Sequence, residues 1–155
     1  MAIKNSNQKA ELASNPALLL DNQVCFALYS TSLAMTKIYK PLLAPLGLTY
    51  PQYLAMLVLW EQDGIMVSEL GERLYLDSGT LTPLLKRLEA MGLIARLRDV
   101  ADERRVHVTL TTAGRKLKAK AAVIPACVVS AAGCSPSDLE LLTRQVQALR
   151  LKLVG

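Results

Sequence analysis

The sequence predicts a mainly α-helical fold carrying one small β-hairpin wing, with longer N- and C-terminal helices outside it. Three observations predict this. Apolar residues recur at spacings of three and four through most of the chain. That period gives way to strict alternation only near residues 106–110, where Val106, Val108 and Leu110 are interleaved with His107 and Thr109. The surplus of basic residues is also confined to one stretch.

The elements follow in order. From Asp21 the positions Val24, Leu28, Met35, Ile38 and Leu42 keep a helical period, until Pro41 and Pro45 disturb or end it and "LGLTY" turns the chain. "PQYLAMLVLWEQDG" opens on a proline suited to a first helical turn and closes on glycine. Its apolar density predicts a buried helix. "VSELGERLYL" is a short helix with Ser68 as a plausible N-cap. "DSGTLTPLLKRLEAMGL" is a second, with Asp77 or Ser78 to cap it, Gly92 to end it, and Leu81, Leu84, Leu85, Leu88 and Met91 as its buried stripe. An interior proline costs roughly 3 kcal/mol, so Pro83 places the start of this helix late, near Gly79 or Thr80. "LIARLRDV" and "VHVTLT" then form the hairpin across "ADER".

A basic helix, "TAGRKLKAKAAVI", is interrupted near Pro125. The last segment, "SPSDLELLTRQVQALRLKLV", has Ser135 as cap, Pro136 in the first helical position and Asp138 where a capping box needs its acid. Leu139, Leu142, Val146, Leu149 and Leu153 form a narrow stripe, the pattern of a helix–helix seam, and on a terminal helix this favours a subunit interface.

Composition narrows the function. At 155 residues the chain is one domain, or one domain with an oligomerisation element. With 52% hydrophobic and 20% charged residues it can bury a core. No apolar run reaches the roughly 20 residues that span a bilayer. The opening "MAIKNSNQKAELASNPALLLDN" lacks the long apolar core of a signal peptide. Three cysteines do not make a disulfide framework, so a cytoplasmic, reducing setting is expected, in which a reactive thiol has meaning. They lack zinc spacing and His107 is the only histidine, so no metal and no cofactor is expected; the outward register of His107 suits a surface or phosphate contact.

The formal net charge is +5, and all of it lies between Asp77 and Lys120, where ten Lys/Arg face five Asp/Glu. Such a focus favours a polyanion. Two short helices and an arginine-tipped hairpin describe a winged helix–turn–helix. The second helix would present Ser78 and Thr80 to base edges, with Lys86 and Arg87 as cationic contacts. The wing would set Arg104 or Arg105 against phosphates or in the minor groove. Lys116, Lys118 and Lys120 are equally phosphate contacts or a solvated face.

"LYLDSGTLTPLLKRLEAMGLIARLRDVADERRVHVTLTTAG" strongly resembles the MarR family of bacterial regulators, with Asp102-Glu103-Arg104 running into "VTLT" and Gly114 as the most diagnostic match. The resemblance runs from about Asn22 to the end. It implies a homodimer, with residues 1–48 and 118–155 as the helical dimerisation region and residues 49–117 as the winged helix–turn–helix, bound to a pseudopalindromic double-stranded operator.

Cys25 opens the first helix, with Tyr29 one turn away on the same face. Tyr39 returns to that face fourteen residues later, but about 21 Å up the axis, so a contact with Cys25 would need a second subunit. Phenols donating to sulfur and the positive end of a helix favour the thiolate, the form that attacks peroxide; the neighbouring Val24, Phe26 and Leu28 oppose it. Cys25, Tyr39 and Tyr50 also match the sensing cysteine and two tyrosines of the OhrR-like, organic hydroperoxide-sensing branch of MarR proteins. That match implies oxidation of Cys25 to a sulfenic acid, then a mixed disulfide with a small thiol or an intersubunit disulfide, and loss of DNA. The position aligned with that branch's second cysteine is Ser130. Cys127 and Cys134 lie to either side, and Cys134 is preferred because a loop-to-helix boundary moves more easily. Three other readings stay open: a regulator answering a small aromatic ligand with Cys25 inert, a thiol peroxidase, and a winged helix used for protein contacts.

Overall fold

The computed structural model describes residues 15–155, so most of the segment read for a leader lies outside the described residues. The chain divides after Lys37 into two units.

In the first unit the chain enters through two 3-10 turns, Pro16–Leu18 and Leu20–Asn22. Asn15 caps the first by accepting from the Ala17 amide at 3.0 Å. Asn22 and Gln23 donate back to the carbonyls of Pro16 and Ala17 at 2.8 and 2.7 Å. Asp21 and Asn22 are thus used by a turn, and helix α1 (Val24–Leu43) starts at the first of the predicted apolar positions. Val24, Leu28 and Leu33 on α1 are exposed.

α1 ends in the second unit, where Pro41 is carried inside the last turn rather than ending the helix. A 3-10 turn, Ala44–Leu46, closes on Gly47 at φ 69°, the left-handed conformation that glycine takes without steric cost. Helix α2 (Tyr50–Glu61) follows a capping box, the Thr49 amide donating to Gln52 Oε1 at 2.9 Å. Its buried face holds Tyr53, Ala55, Met56, Val58 and Leu59.

Strand β1 (Ile65–Met66) leads directly into helix α3 (Val67–Leu74). Met66 therefore takes the N-cap position without a side-chain hydrogen bond, and Ser68 lies inside the first turn instead of capping it. Helix α4 (Ser78–Ala90) starts upstream of Gly79, a correction to the late start inferred from Pro83. Asp77 accepts from the Thr80 amide at 2.8 Å and fixes the first turn, and Pro83 is accepted within the helix on its exposed side. Leu81, Leu84, Leu85 and Leu88 are buried as expected, but Met91 at the C-cap is exposed.

The hairpin is strand β2 (Ile94–Arg98) against strand β3 (Val106–Leu110), antiparallel, with Ile94 opposite Leu110 and Arg98 opposite Val106. β1 adds to the other edge of β3, giving the order β1-β3-β2. Helix α5 (Thr112–Ala121) is capped by Thr111. Pro125 occupies the first turn of helix α6 (Ile124–Ala132), so it begins a helix rather than merely interrupting one. Helix α7 (Pro136–Val154) has the predicted cap, Ser135 Oγ accepting from the Asp138 amide at 3.1 Å.

Leu43, Met56, Leu70, Leu88, Ile94 and Val108 lie at the centre of the core. No residue of α7 is buried, and Leu142, Val146 and Leu153 of its stripe are exposed. Among the described residues no single helix is long and apolar enough to cross a membrane.

Candidate nucleic-acid interface and redox site

Capping decides where α4 offers its chemistry. With Asp77 holding the first turn, Ser78 and Thr80 stand exposed at the helix start, and Lys86 and Arg87 are exposed further along. The hydrogen bond from the Thr80 amide holds the Asp77 carboxyl below the usual carboxylate range.

The wing tip is built by two acids. Asp102 Oδ1 accepts from the Arg104 amide at 3.0 Å and lies 3.5 Å from Arg104 Nε, while the Asp102 carbonyl accepts from the Arg105 amide at 2.9 Å. The Arg104 side chain is left 95% exposed, so Asp102 shapes the tip that carries the charge. Asp99 closes the turn, its amide donating to the Arg105 carbonyl at 2.8 Å. Between wing and helices lies a cleft of about 490 Å³, with Ser68, Ser78, Thr82, Arg96, Arg104 and Arg105 in its walls.

Not all of the basic stretch is free. Arg96 donates to Glu89 from Nε at 3.1 Å and from Nη2 at 2.7 Å, and these bonds hold the Glu89 carboxyl low. His107 was expected to face solvent or phosphate. Instead its Nδ1 lies 3.2 Å from the Gly64 carbonyl and its Nε2 3.5 Å from Asp99, which ties the wing to the loop before β1. Lys118 donates to the Trp60 carbonyl at 3.0 Å, whereas Lys116 and Lys120 are exposed. Asp63, unnoticed in the sequence, accepts from the Leu110 amide at 2.8 Å and from Arg115 at 3.0 Å, joining the sheet to α5.

In the first unit, Cys25 is the second residue of α1, with its thiol exposed. Tyr29 is 64% exposed. In the second unit, the Tyr39 and Tyr50 rings lie tilted against each other with centroids 4.6 Å apart, and Tyr53 lies 5.8 Å from Tyr39. Tyr53 was missed by the sequence reading; its one signal was the three-residue spacing from Tyr50 on a helix that buries that side. Burial, then the neighbouring phenols, push the Tyr39 hydroxyl up to about 12. Burial raises Tyr50 and Tyr53 as well, so all three remain protonated donors.

All three cysteines are free thiols. Cys127 is half-buried in α6, and Cys134 is exposed in the link between α6 and α7, beyond Gly133 at φ 66°. Ser130, between them, is exposed.

A groove-sized helix beside an arginine-tipped hairpin defines a winged-helix DNA-binding regulator, and known proteins agree. The model of the family described as transcriptional regulator SarA/Rot matches residues 37–121. The organic hydroperoxide resistance transcriptional regulator of Bacillus subtilis is 52% identical over 130 residues, 84% of this chain and 88% of that protein. The chain belongs to the MarR family of winged-helix transcriptional regulators, on its OhrR-like, organic hydroperoxide-resistance branch. AbfR of Staphylococcus epidermidis is a structural relative solved in several states. Reduced and bound to DNA, it matches at TM-score 0.67 and 32% identity, over 88% of this chain and 96% of its own. Overoxidised and bound to DNA, it matches at TM-score 0.67 and 31% identity, over 96% and 98%. In its disulfide form the values are 0.59 and 36%, over 93% and 98%.

Proposed function

We propose that this chain is a homodimeric repressor that holds pseudopalindromic promoter DNA when reduced and releases it once an organic hydroperoxide has oxidised Cys25. The observation that carries this reading is the cluster of Tyr39, Tyr50 and Tyr53, which gathers three phenol rings within 6.5 Å of one another. Such phenols donate hydrogen bonds to a thiolate without adding charge to the site. In the dimer, Cys25 of one protomer meets Tyr39 and Tyr50 of the partner subunit, because a single straight helix keeps Cys25 and Tyr39 about 21 Å apart.

The chemistry balances with the hydroperoxide as the only oxidant. The Cys25 thiolate attacks the terminal peroxide oxygen, the O–O bond breaks, and the departing alkoxide takes a proton to leave as alcohol. A second thiol then attacks the sulfenic sulfur, forming a disulfide and expelling hydroxide, which leaves as water with that thiol's proton. That thiol is Cys134, Cys127 or a small external thiol. An overoxidised AbfR is found on DNA, so here we tie release to the disulfide rather than to oxidation as such.

Base contacts fall to Ser78, Thr80, Lys86 and Arg87, and backbone contacts to Arg104 and Arg105, with Asp102 shaping the wing. The test titrates reduced protein with cumene hydroperoxide while following its binding to its own promoter DNA. Wild type is expected to release and Cys25→Ser to stay bound; equal behaviour of the two sinks the proposal.

A second reading, a regulator answering a small aromatic ligand, is favoured by an apolar pocket of about 340 Å³ lined by Tyr53, Leu57, Trp60, Ala121 and Pro125, with Lys118 as its cation. Under that reading Cys25→Ser responds as wild type does.

A further inference from the structure

Trp60 is the chain's single tryptophan, and it holds the tyrosine cluster and the root of the wing at once. On one side its ring meets Tyr53 edge-on, with centroids 6.4 Å apart, and Tyr53 lies tilted against Tyr39 in turn. On the other, the indole Nε1 donates to the Gly114 carbonyl at 2.9 Å, in the first turn of α5. The Trp60 carbonyl also accepts from Lys118 one turn further along that helix.

Gly114 is a joint without slack. A Cβ there would sit 2.1 Å from the Leu93 carbonyl oxygen, so the α5 backbone is pressed onto the residue before β2. The same turn is pinned twice more, by the Thr111 amide on the Leu93 carbonyl at 3.0 Å and by Thr111 Oγ1 on the Gly92 carbonyl at 2.6 Å. A close-packed contact of this kind does not absorb displacement locally. When the indole moves, the α5 start and the root of β2 move with it.

We infer that Trp60 is a positioning residue that passes a change at the Tyr39–Tyr50–Tyr53 cluster to the wing, through its hydrogen bond to Gly114. The inference rests on the redox reading above and adds the route from phenols to wing. Bonded to a carbonyl at the wing root, the indole is also a reporter: a change at the cluster alters the Nε1 hydrogen bond.

The experiment compares wild type with Trp60→Phe, which keeps an aromatic ring beside Tyr53 and removes the Nε1 donor. Three quantities are read with cumene hydroperoxide: the rate of Cys25 oxidation, operator affinity when reduced, and operator affinity when oxidised. The expected result is an unchanged oxidation rate, a near-wild-type reduced affinity, and an oxidised-to-reduced affinity ratio brought about tenfold closer to one. A ratio equal to wild type overturns the inference while leaving the redox reading intact. Wild type that fails to release DNA removes both. Should Trp60→Phe fold poorly, the indole resonance of wild type labelled with ¹⁵N-tryptophan decides, since one tryptophan gives one signal. A shift on oxidation of wild type that is absent in Cys25→Ser supports the route, and an unmoved resonance overturns it.

Discussion

At the scale of residues, function depends on which polar groups are held and which are left free. Tyr39 loses water on folding, and its hydroxyl stays protonated to about 12, two units above its ordinary 10.0. A pKa raised by folding stabilises the fold below 10.0, and the contribution disappears as pH rises from there through about 12. Alkaline unfolding of wild type is therefore expected to steepen in that window, and Tyr39→Phe to flatten it, as read by circular dichroism against pH. In the redox reading the same substitution removes a donor to the thiolate. Oxidation of Cys25 by cumene hydroperoxide at neutral pH should then slow by up to about tenfold, with operator affinity unchanged. An oxidation rate equal to wild type would remove Tyr39 from the site. Arg104 is the opposite case, an arginine presented to solvent by Asp102. Arg104→Ala is expected to weaken operator binding and lower the salt slope by about one. A slope equal to wild type would show that no phosphate is met there.

At the scale of elements, the lobe relies on side chains that finish what backbone geometry begins. Thr111 caps α5 through the Gly114 amide at 3.1 Å and also holds the Gly92 carbonyl. Thr111→Ala should cost about 1 kcal/mol or somewhat more in urea unfolding, since a cap and a second hydrogen bond go together. Gly114→Ala should cost more than that, because its Cβ meets backbone that cannot turn aside. Asp77, Glu89 and Asp99 all titrate below the ordinary carboxylate range, each held there first by hydrogen bonds: Thr80 to Asp77, Arg96 to Glu89, and the Ala101 amide to Asp99. Depressed pKa values stabilise the fold above the ordinary range, and that contribution is lost as pH falls through the lower folded values. Acid should therefore loosen the α4 start and the wing only once pH falls below the ordinary carboxylate range, a change readable by hydrogen exchange.

At the scale of the molecule, two apolar faces have no cover among the described residues. Val24, Leu28 and Leu33 on α1, and Leu142, Val146 and Leu153 on α7, are exposed leucines and valines in the pattern of helix seams. In the dimeric reading these faces are buried between protomers. Val146→Lys is then expected to give a monomer by analytical ultracentrifugation and to lose most operator affinity, because two linked half-sites bind far more tightly than one. A dimer that survives this charge would move the interface elsewhere.

Much of this was already legible along the chain, and where it was, the cause is local. Periodicity marked the helices, Ser135 marked the start of α7, and alternation at residues 106–110 marked the hairpin, because a few neighbouring residues decide these features; the start of α4 was read too late from Pro83. The family resemblance was equally readable, since the stretch from Leu74 to Gly114 carries it as unbroken sequence. Other features depend on residues far apart. β1 has two residues and no period of its own, and it exists because β3 offers an edge. His107 read as a surface or phosphate contact and Lys118 as a phosphate contact or solvated face until folding set Asp99 and the Trp60 carbonyl beside them, and the Arg96–Glu89 pair was not read at all. Tyr53 joined Tyr39 and Tyr50 only when α2 buried that face. The sequence alone determined the helix–turn–helix, its wing and its charge, because each is encoded by neighbours in the chain. The tertiary structure decided which charges stay free for DNA and which aromatic rings meet, because those outcomes depend on groups brought together only by packing.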